Sequence, residues 1–106
     1  MEEEKNKYAI LCLLNHKNRL GNDIKIWHDY ALKNYYFVDP DPIYPKLNEL
    51  EMQGLICPIE SSDGLEPAQK TYQITDKGRE DFNVWRDETR HVRLTIHYLN
   101  RFRPER

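Results

Sequence analysis

The side chains most often used in catalysis and metal binding are few in this chain and widely separated. Four histidines and two cysteines could act as bases, nucleophiles or ligands: His16, His28, His91, His97, Cys12 and Cys57. The six-residue step from His91 to His97 does not place both on one face of a helix. The chain contains no HExxH zinc motif, no GxSxG nucleophile motif and no glycine-rich phosphate loop. We therefore predict neither an enzyme nor a metal or cofactor site.

The composition predicts one small globular domain. The chain has 106 residues, of which 39% are hydrophobic and 11% aromatic, enough for a single core. No apolar stretch approaches the roughly 18 residues of a membrane span, and the acidic first four residues do not resemble a signal sequence. Two cysteines make no disulfide framework. We expect a cytoplasmic protein without a membrane partner.

The formal net charge of −2 hides an uneven distribution. Residues 1–50 carry 7 Lys/Arg against 8 Asp/Glu, residues 51–89 carry 4 against 9, and residues 90–106 carry 5 against 1. The overall balance argues against a generic polyanion binder. The basic segment Arg90–Arg106 either contacts an anion or complements the negative end of a helix, and both readings stay open.

Apolar spacing and turn residues predict three helices in the first half of the chain. The first covers residues 5–15, and the second has an apolar stripe of Leu20, Ile24, Trp27 and Ala31. The third helix follows the sequence Asp39-Pro40-Asp41-Pro42, where an Asp before Pro suits the N-cap and first helical position. Its buried face is expected to contain Ile43, Leu47 and Leu50.

The second half of the chain predicts a β-hairpin and a closing helix. Residues 55–60 and 70–75 are rich in β-forming residues and flank a polar loop with an Asp-Gly turn. Thr75 and Asp76 then suit a helix start. One apolar stripe of this helix is Phe82, Trp85, Thr89, Val92, Ile96 and Leu99, and a second, on roughly the opposite side, is Leu94, Tyr98 and Phe102. A helix apolar on two faces near a chain end needs a second partner, so we predict a dimerisation helix over residues 76–102.

This order of elements describes a winged helix-turn-helix domain over residues 5–75, so the fold class is mainly α with a small β-hairpin and a C-terminal dimerisation helix. Four motifs, in order, resemble the PadR family of bacterial transcriptional regulators: Tyr8–Leu11, Gly21–Ile24, Ile43–Ile56 and Thr71–Gly78. The resemblance implies a cytoplasmic homodimer that binds a palindromic operator in double-stranded DNA. It also implies action as a repressor that is released by a small molecule or another signal.

The resemblance places the third helix in the major groove and the wing on the DNA backbone or in the minor groove. It implies DNA contacts by Tyr44, Lys46, Asn48, Gln69 and Lys70. Asn can read adenine and Lys can reach guanine or phosphate, whereas Tyr44 could equally be half-buried core. Three acids depart from the family pattern: Glu66 in the wing, and Asp39 and Asp41 beside the third helix. They either lower DNA affinity by repelling phosphate or simply cap and turn the chain.

The resemblance also implies that the closing helix packs against its mate and the partner's first helix. Tyr8 and Leu11 therefore join the stripe of Phe82, Trp85, Thr89, Val92, Ile96 and Leu99 at the predicted interface. In multidrug-sensing family members, aromatic residues at this junction line a ligand pocket. Trp85 and Phe82 could bind a small planar aromatic effector or simply fill the interface core. The acidic wing region favours an alternative, a winged-helix protein-interaction module with weakened or lost DNA binding.

Overall fold

The computed structural model describes residues 2–88. The helices and strands follow in the order α1 (Glu2–His16), β1 (Arg19–Leu20), α2 (Gly21–Ala31), α3 (Ile43–Met52), β2 (Ile56–Pro58), β3 (Thr71–Ile74) and α4 (Asp76–Glu88). A π-helical segment, Leu32–Tyr36, continues α2, and two 3-10 turns, Glu60–Ser62 and Pro67–Gln69, lie between β2 and β3. The predicted fold class, mainly helical with a small antiparallel sheet in a winged helix-turn-helix arrangement, is confirmed.

α1 forms the centre of the core because its apolar run leaves it no solvated side. Residues 8–14 are all buried. All of them except Ala9 belong to one cluster with Ile24 of α2, Leu47 of α3, Tyr72 of β3 and Phe82 of α4. Each large apolar side chain buried in this way contributes roughly 1.5–3 kcal/mol relative to exposure, so this run is a main source of stability. Within residues 2–88, no helix has both the length and the apolarity needed to cross a membrane.

The sheet has three antiparallel strands in the order β1-β3-β2. Arg19 of β1 pairs with Tyr72 of β3, and Ile56 of β2 pairs with Ile74 of β3. The prediction that Leu20 opens the apolar stripe of α2 is wrong, because Leu20 belongs to β1 and is 38% exposed. A strand of two residues is too short to produce a recognisable alternation of apolar and polar residues, so the sequence pattern could not separate it from α2.

The connection between β2 and β3 (residues 59–70) folds back onto the N-terminus of α2. The backbone N–H of Gly21 donates to the Lys70 carbonyl at 2.8 Å. A Cβ at Gly21 would collide with the Pro67 carbonyl oxygen, so only glycine allows this close approach. Buried Ser62 accepts a hydrogen bond from the Thr71 N–H at 2.7 Å. The wing, formed by β2, β3 and the connection between them, is therefore anchored to the start of α2 near Pro67 and Lys70, while the Ser62–Thr71 bond closes the connection on itself. Its strands are shorter than the predicted ones.

The segment that continues α2 ends at Phe37 in the left-handed backbone region, with φ of 58°. The Phe37 N–H donates to the Leu32 carbonyl, and the Val38 N–H reaches the same carbonyl at 3.1 Å. Glycine is the usual residue at such a helix end because it has no Cβ to clash. Phe37 keeps this conformation although its side chain is 82% exposed.

α4 begins as predicted, with the Thr75 hydroxyl accepting a hydrogen bond from the Gly78 N–H at 3.0 Å. Phe82 on this helix is buried in the core and Trp85 packs against the core's edge. The predictions for Thr89, Val92, Ile96 and Leu99, for the second stripe and for the basic segment Arg90–Arg106 lie outside the described residues. The same is true of the predicted extension of this helix to residue 102.

Candidate nucleic-acid interface

α3 packs on the core with one face and presents the opposite face to solvent. Ile43, Leu47 and Leu50 are buried, as the spacing predicted. Asn48 points away from them and is exposed. Tyr44 is half-buried and packs against the hydrophobic core, and its DNA contact stays a prediction. The outward face of α3 is therefore rigidly supported, as a surface that reads another molecule must be.

The start of α3 differs from the prediction. Pro42, not Asp41, occupies the N-cap position, and no side chain there caps the first N–H groups. The Asp41 N–H instead donates to Oδ1 of Asn6 at 3.0 Å, and Asn6 is buried in α1. This bond fixes the α2–α3 loop to α1 and places Asp41 one residue too early to act as the cap. Pro45 lies in the first turn, where its missing N–H removes no helical bond.

Lys46 is buried rather than on the outward face of α3, and its DNA contact stays a prediction. Its side chain is only 9% exposed, with Nζ 3.4 Å from Oε1 of Glu49 and 3.8 Å from Oδ2 of Asp41. The i,i+3 spacing brings Glu49 next to Lys46 on the helix, and the attraction between their charges holds the ammonium beside α3. The cation is neutralised locally, so little of its charge is available to a phosphate or a guanine.

A cleft of about 260 Å³ lies between α1 and α3, beside this ion pair. It is lined by Glu4, Lys7, Tyr8, Lys46, Glu49, Leu50 and Gln53. Its wall carries two carboxylates and two ammonium groups, so its charge selects neither a small anion nor a small cation.

The wing residues named from the sequence lie at the second 3-10 turn. Gln69 is exposed and Lys70 is half-buried at the start of β3. Glu66 is exposed at the other end of this turn, where its carbonyl accepts from the Gln69 N–H at 2.8 Å. Within residues 2–88, Lys70 makes no ion pair with an acid. The wing therefore offers one cation and one acid within a single turn of the chain.

Four of the residues predicted at the dimer interface lie within residues 2–88, and they divide into two groups. Leu11 and Phe82 are fully covered by the chain's own core, so they offer no surface to a partner in this structure. Tyr8 and Trp85 instead stack on each other, with ring centroids 4.2 Å apart and planes 4° from parallel. The stack joins α1 to α4, and the Trp85 ring remains partly exposed. The two candidate ligand residues thus differ, because Trp85 retains accessible surface and Phe82 does not.

Polar contacts reinforce this stack. The Tyr8 hydroxyl donates to Oδ1 of Asp81 at 2.6 Å, and Nζ of Lys7 lies 3.0 Å from Oδ2 of the same carboxylate. Burial and the Asp81 carboxylate raise the pKa of Tyr8 above its ordinary value. Burial opposes ionisation of Asp81, but the hydrogen bonds from Tyr8 and Lys7 prevail and hold the pKa of Asp81 below its ordinary value. The α1–α4 junction is therefore a specific structural connection within one chain.

His28 is a buried titratable residue whose environment the sequence did not reveal. Its Nδ1 lies 3.0 Å from Oδ1 of Asp29, and because a carboxylate only accepts, Nδ1 carries the proton. Its Nε2 is buried without a hydrogen-bond partner in the described part of the chain. Burial lowers the pKa of His28, and hydrogen bonding to Asp29 only partly offsets this effect. His28 is therefore neutral near pH 7.

Two features of the surface escaped sequence reasoning although the sequence carried a signal for each. Pro45 and Met52 flank Asn48 at spacings of three and four residues, and both are exposed. The spacing alone would have placed Pro45 and Met52 on the same face of the helix as Asn48. Glu49, three residues after Lys46, likewise indicated an ion pair that would neutralise the Lys46 ammonium.

The fold is that of a winged helix-turn-helix protein. Three helices precede a β-sheet wing, and the third helix presents one face to solvent. Residues 10–84 match the family described as Transcriptional regulator PadR-like family, and the chain belongs to that family. It is 32% identical over 79 residues to the Negative transcriptional regulator PadR of Bacillus subtilis (strain 168). The alignment covers 74% of this chain and 43% of that protein, so the chain spans less than half the length of this relative. No solved structure gives a significant match.

Proposed function

We propose that this chain is a cytoplasmic transcriptional repressor that binds a palindromic operator as a homodimer. The observation that carries the proposal is the outward face of α3, where exposed Asn48 and half-buried Tyr44 stand on a helix seated firmly on the core. A supported helix of this size fits the major groove, and its side chains can reach base edges. Family membership and the similarity to a negative transcriptional regulator of Bacillus subtilis support the same assignment.

In this proposal the wing contacts the DNA backbone through Gln69 and Lys70. Lys46 contributes less than its position on α3 suggests, because Glu49 and Asp41 already neutralise it. Glu66, Glu49 and Asp39 are exposed acids on or near the proposed surface. Since non-specific affinity depends on the number of phosphates neutralised, we expect weak non-specific binding and a shallow dependence on salt.

The homodimer would form through the closing helix beyond Glu88, with Trp85 at the edge of the interface. Leu11 and Phe82 would support the interface from the core rather than contact the partner. The exposed part of Trp85 would accept a small planar aromatic effector, since one side of the ring already stacks on Tyr8. Fluorescence titration of a Trp27→Phe variant would test this role, because only Trp85 would then report binding. Unchanged emission across a panel of planar aromatic compounds would contradict it.

A protein-interaction module is the second candidate, and the local neutralisation of Lys46 favours it. A helix that offers no strong cation is poorly suited to a polyanion but can bind a protein surface. The two functions differ in whether the chain selects a sequence from random DNA. A reproducible palindromic site would exclude the second candidate, whereas a defined protein partner together with no selected site would support it.

The experiment that tests the proposed function is a gel shift with the DNA upstream of the chain's own gene. We expect retardation at low salt by the dimer, checked by light scattering, and footprints with two-fold symmetry. The Asn48→Ala variant should lose the specific complex. Asn18→Ala makes the same chemical change at an exposed position in the α1–β1 turn and serves as the matched control. Absence of any shift by a folded dimer would contradict the proposal.

A further inference from the structure

Three residues form an exposed ridge along α3: Pro45, Asn48 and Met52, here called the outer ridge. Their spacings of three and four residues place them on one face, with the side chains of adjacent members near each other. Pro45 and Asn48 are exposed, and Met52 is 81% exposed. The outer ridge therefore combines one amide with two apolar side chains.

The functional groups of the outer ridge limit which bases it can recognise. An asparagine amide can donate its N–H to N7 of adenine and accept from the N6 amino group with its oxygen. Adenine is therefore its bidentate partner in the major groove. Apolar side chains contact the thymine methyl group, which no other base presents in the major groove. Within residues 2–88, the amide of Asn48 has no protein hydrogen-bond partner, so it is available to a base.

The groups that recognise guanine are missing from this face. Guanine is read through O6 and N7 by Arg or Lys, and Lys46 is the single cationic residue of α3. Its side chain is nine-tenths buried, and its Nζ lies 3.4 Å from Glu49. Glu49 could accept from a cytosine amine, but it already partners Lys46. The helix thus presents groups suited to adenine and thymine and withholds those suited to guanine and cytosine.

We infer that the outer ridge reads A·T base pairs in the major groove, with the Asn48 amide on an adenine and Pro45 and Met52 against thymine methyl groups. The inference rests on the proposed function and adds to it the kind of sequence recognised. Seven residues of α-helix rise by about 10 Å, which matches roughly three base pairs at 3.4 Å each. Each half-site should therefore contain an A·T stretch of about three base pairs.

Selection from random duplex DNA with the full chain is the first experiment. We expect two half-sites, each with A·T pairs at the positions that α3 contacts. Replacing the adenine opposite Asn48 with 7-deazaadenine removes N7 but keeps base pairing, and should weaken binding about fivefold or more. Replacing thymine with uracil removes only the methyl group, and should weaken binding about threefold at each contacted position.

The variant Asn48→Ala separates recognition from general affinity. It should bind the selected site and its G·C-substituted version with nearly equal affinity, whereas the unmodified chain should prefer the selected site by about fivefold to 150-fold. Asn18→Ala should keep the full preference, and circular dichroism should show both variants folded. If G·C pairs were selected at these positions, or if 7-deazaadenine had no effect on binding, the inference would be overturned while the proposed function would stand. Failure to bind any duplex at low salt would overturn the proposed function together with it.

Discussion

The ammonium of Lys46 lies 3.4 Å from the carboxylate of Glu49, one turn further along α3. This pair determines the charge of the helix that we propose to enter DNA. The Lys46 side chain is buried while Glu49 is exposed, so the main consequence of the pair is electrostatic. It converts the cation of α3 into a locally neutral group and leaves recognition to uncharged side chains.

Removing the Glu49 charge should therefore strengthen DNA binding. Glu49→Gln leaves Lys46 with only Asp41, 3.8 Å away, and removes an acid from the proposed surface. Since unit charges about 4 Å apart interact by about 1 kcal/mol in water, we expect affinity to rise about fivefold at low salt. Fluorescence anisotropy with the selected operator measures the change. Glu80→Gln makes the same change at an exposed position on α4 and should have little effect; equal effects of both variants would contradict the prediction.

Opposite charge changes in the wing should move DNA affinity in opposite directions. Lys70→Glu should weaken binding and Glu66→Arg should strengthen it, each by about threefold to tenfold near physiological salt. If Lys70 contacts one phosphate, its loss should reduce the slope of log affinity against log salt by about 0.9. Titrations between low and moderate salt give this slope directly. A Lys70→Glu variant with an unchanged slope would remove Lys70 from the DNA contact.

Helix α1 could be predicted from the sequence, whereas the environment of single side chains could not. Its apolar run at residues 8–14 fits a helix buried on most sides, and the structure buries all seven residues. The short strand containing Leu20 has no periodicity of its own and depends on pairing with β3, a contact distant in sequence. Asp41 lost its predicted capping role because Asn6, also distant in sequence, binds its backbone. Periodicity reports which face is buried, but long-range partners decide what each polar group does.

Phe37→Gly should stabilise the domain. Phe37 adopts φ of 58°, a conformation that costs a residue with a Cβ about 1 kcal/mol relative to glycine. Because its side chain is 82% exposed, little packing is lost on removal. We expect the free energy of unfolding in urea to rise by up to about 1 kcal/mol. Phe37→Ala keeps the Cβ and should change stability little, so it isolates the backbone effect. A glycine variant no more stable than the alanine variant would contradict the prediction.

The stability of the domain should fall as the pH drops below about 6.5, because His28 is neutral and buried in the folded state. In the unfolded chain, its ordinary pKa of 6.5 lets it take up a proton, whereas burial lowers its pKa in the folded protein. The unfolded state thus binds more protons in this range, and stability decreases with falling pH by at most about 1.4 kcal/mol per pH unit. Protonation would place a charged N–H at Nε2, which has no hydrogen-bond partner among residues 2–88. Burial outweighs Asp29 and Asp41, which raise the pKa of His28, and the ammonium of Lys46 lowers this pKa further.

The matched variant His28→Phe keeps a ring of similar shape and removes the titrating group. Urea unfolding of both proteins at several values between pH 5 and pH 7.5 should give a smaller stability loss for the variant on the acid side. Carboxylates such as Asp81, whose pKa lies below its ordinary value, affect both proteins alike at lower pH and cancel in the difference. If the two stability profiles ran parallel from pH 7.5 to pH 5, His28 would not be the group that titrates, and its buried nitrogen would have to be charged or solvated in the folded state.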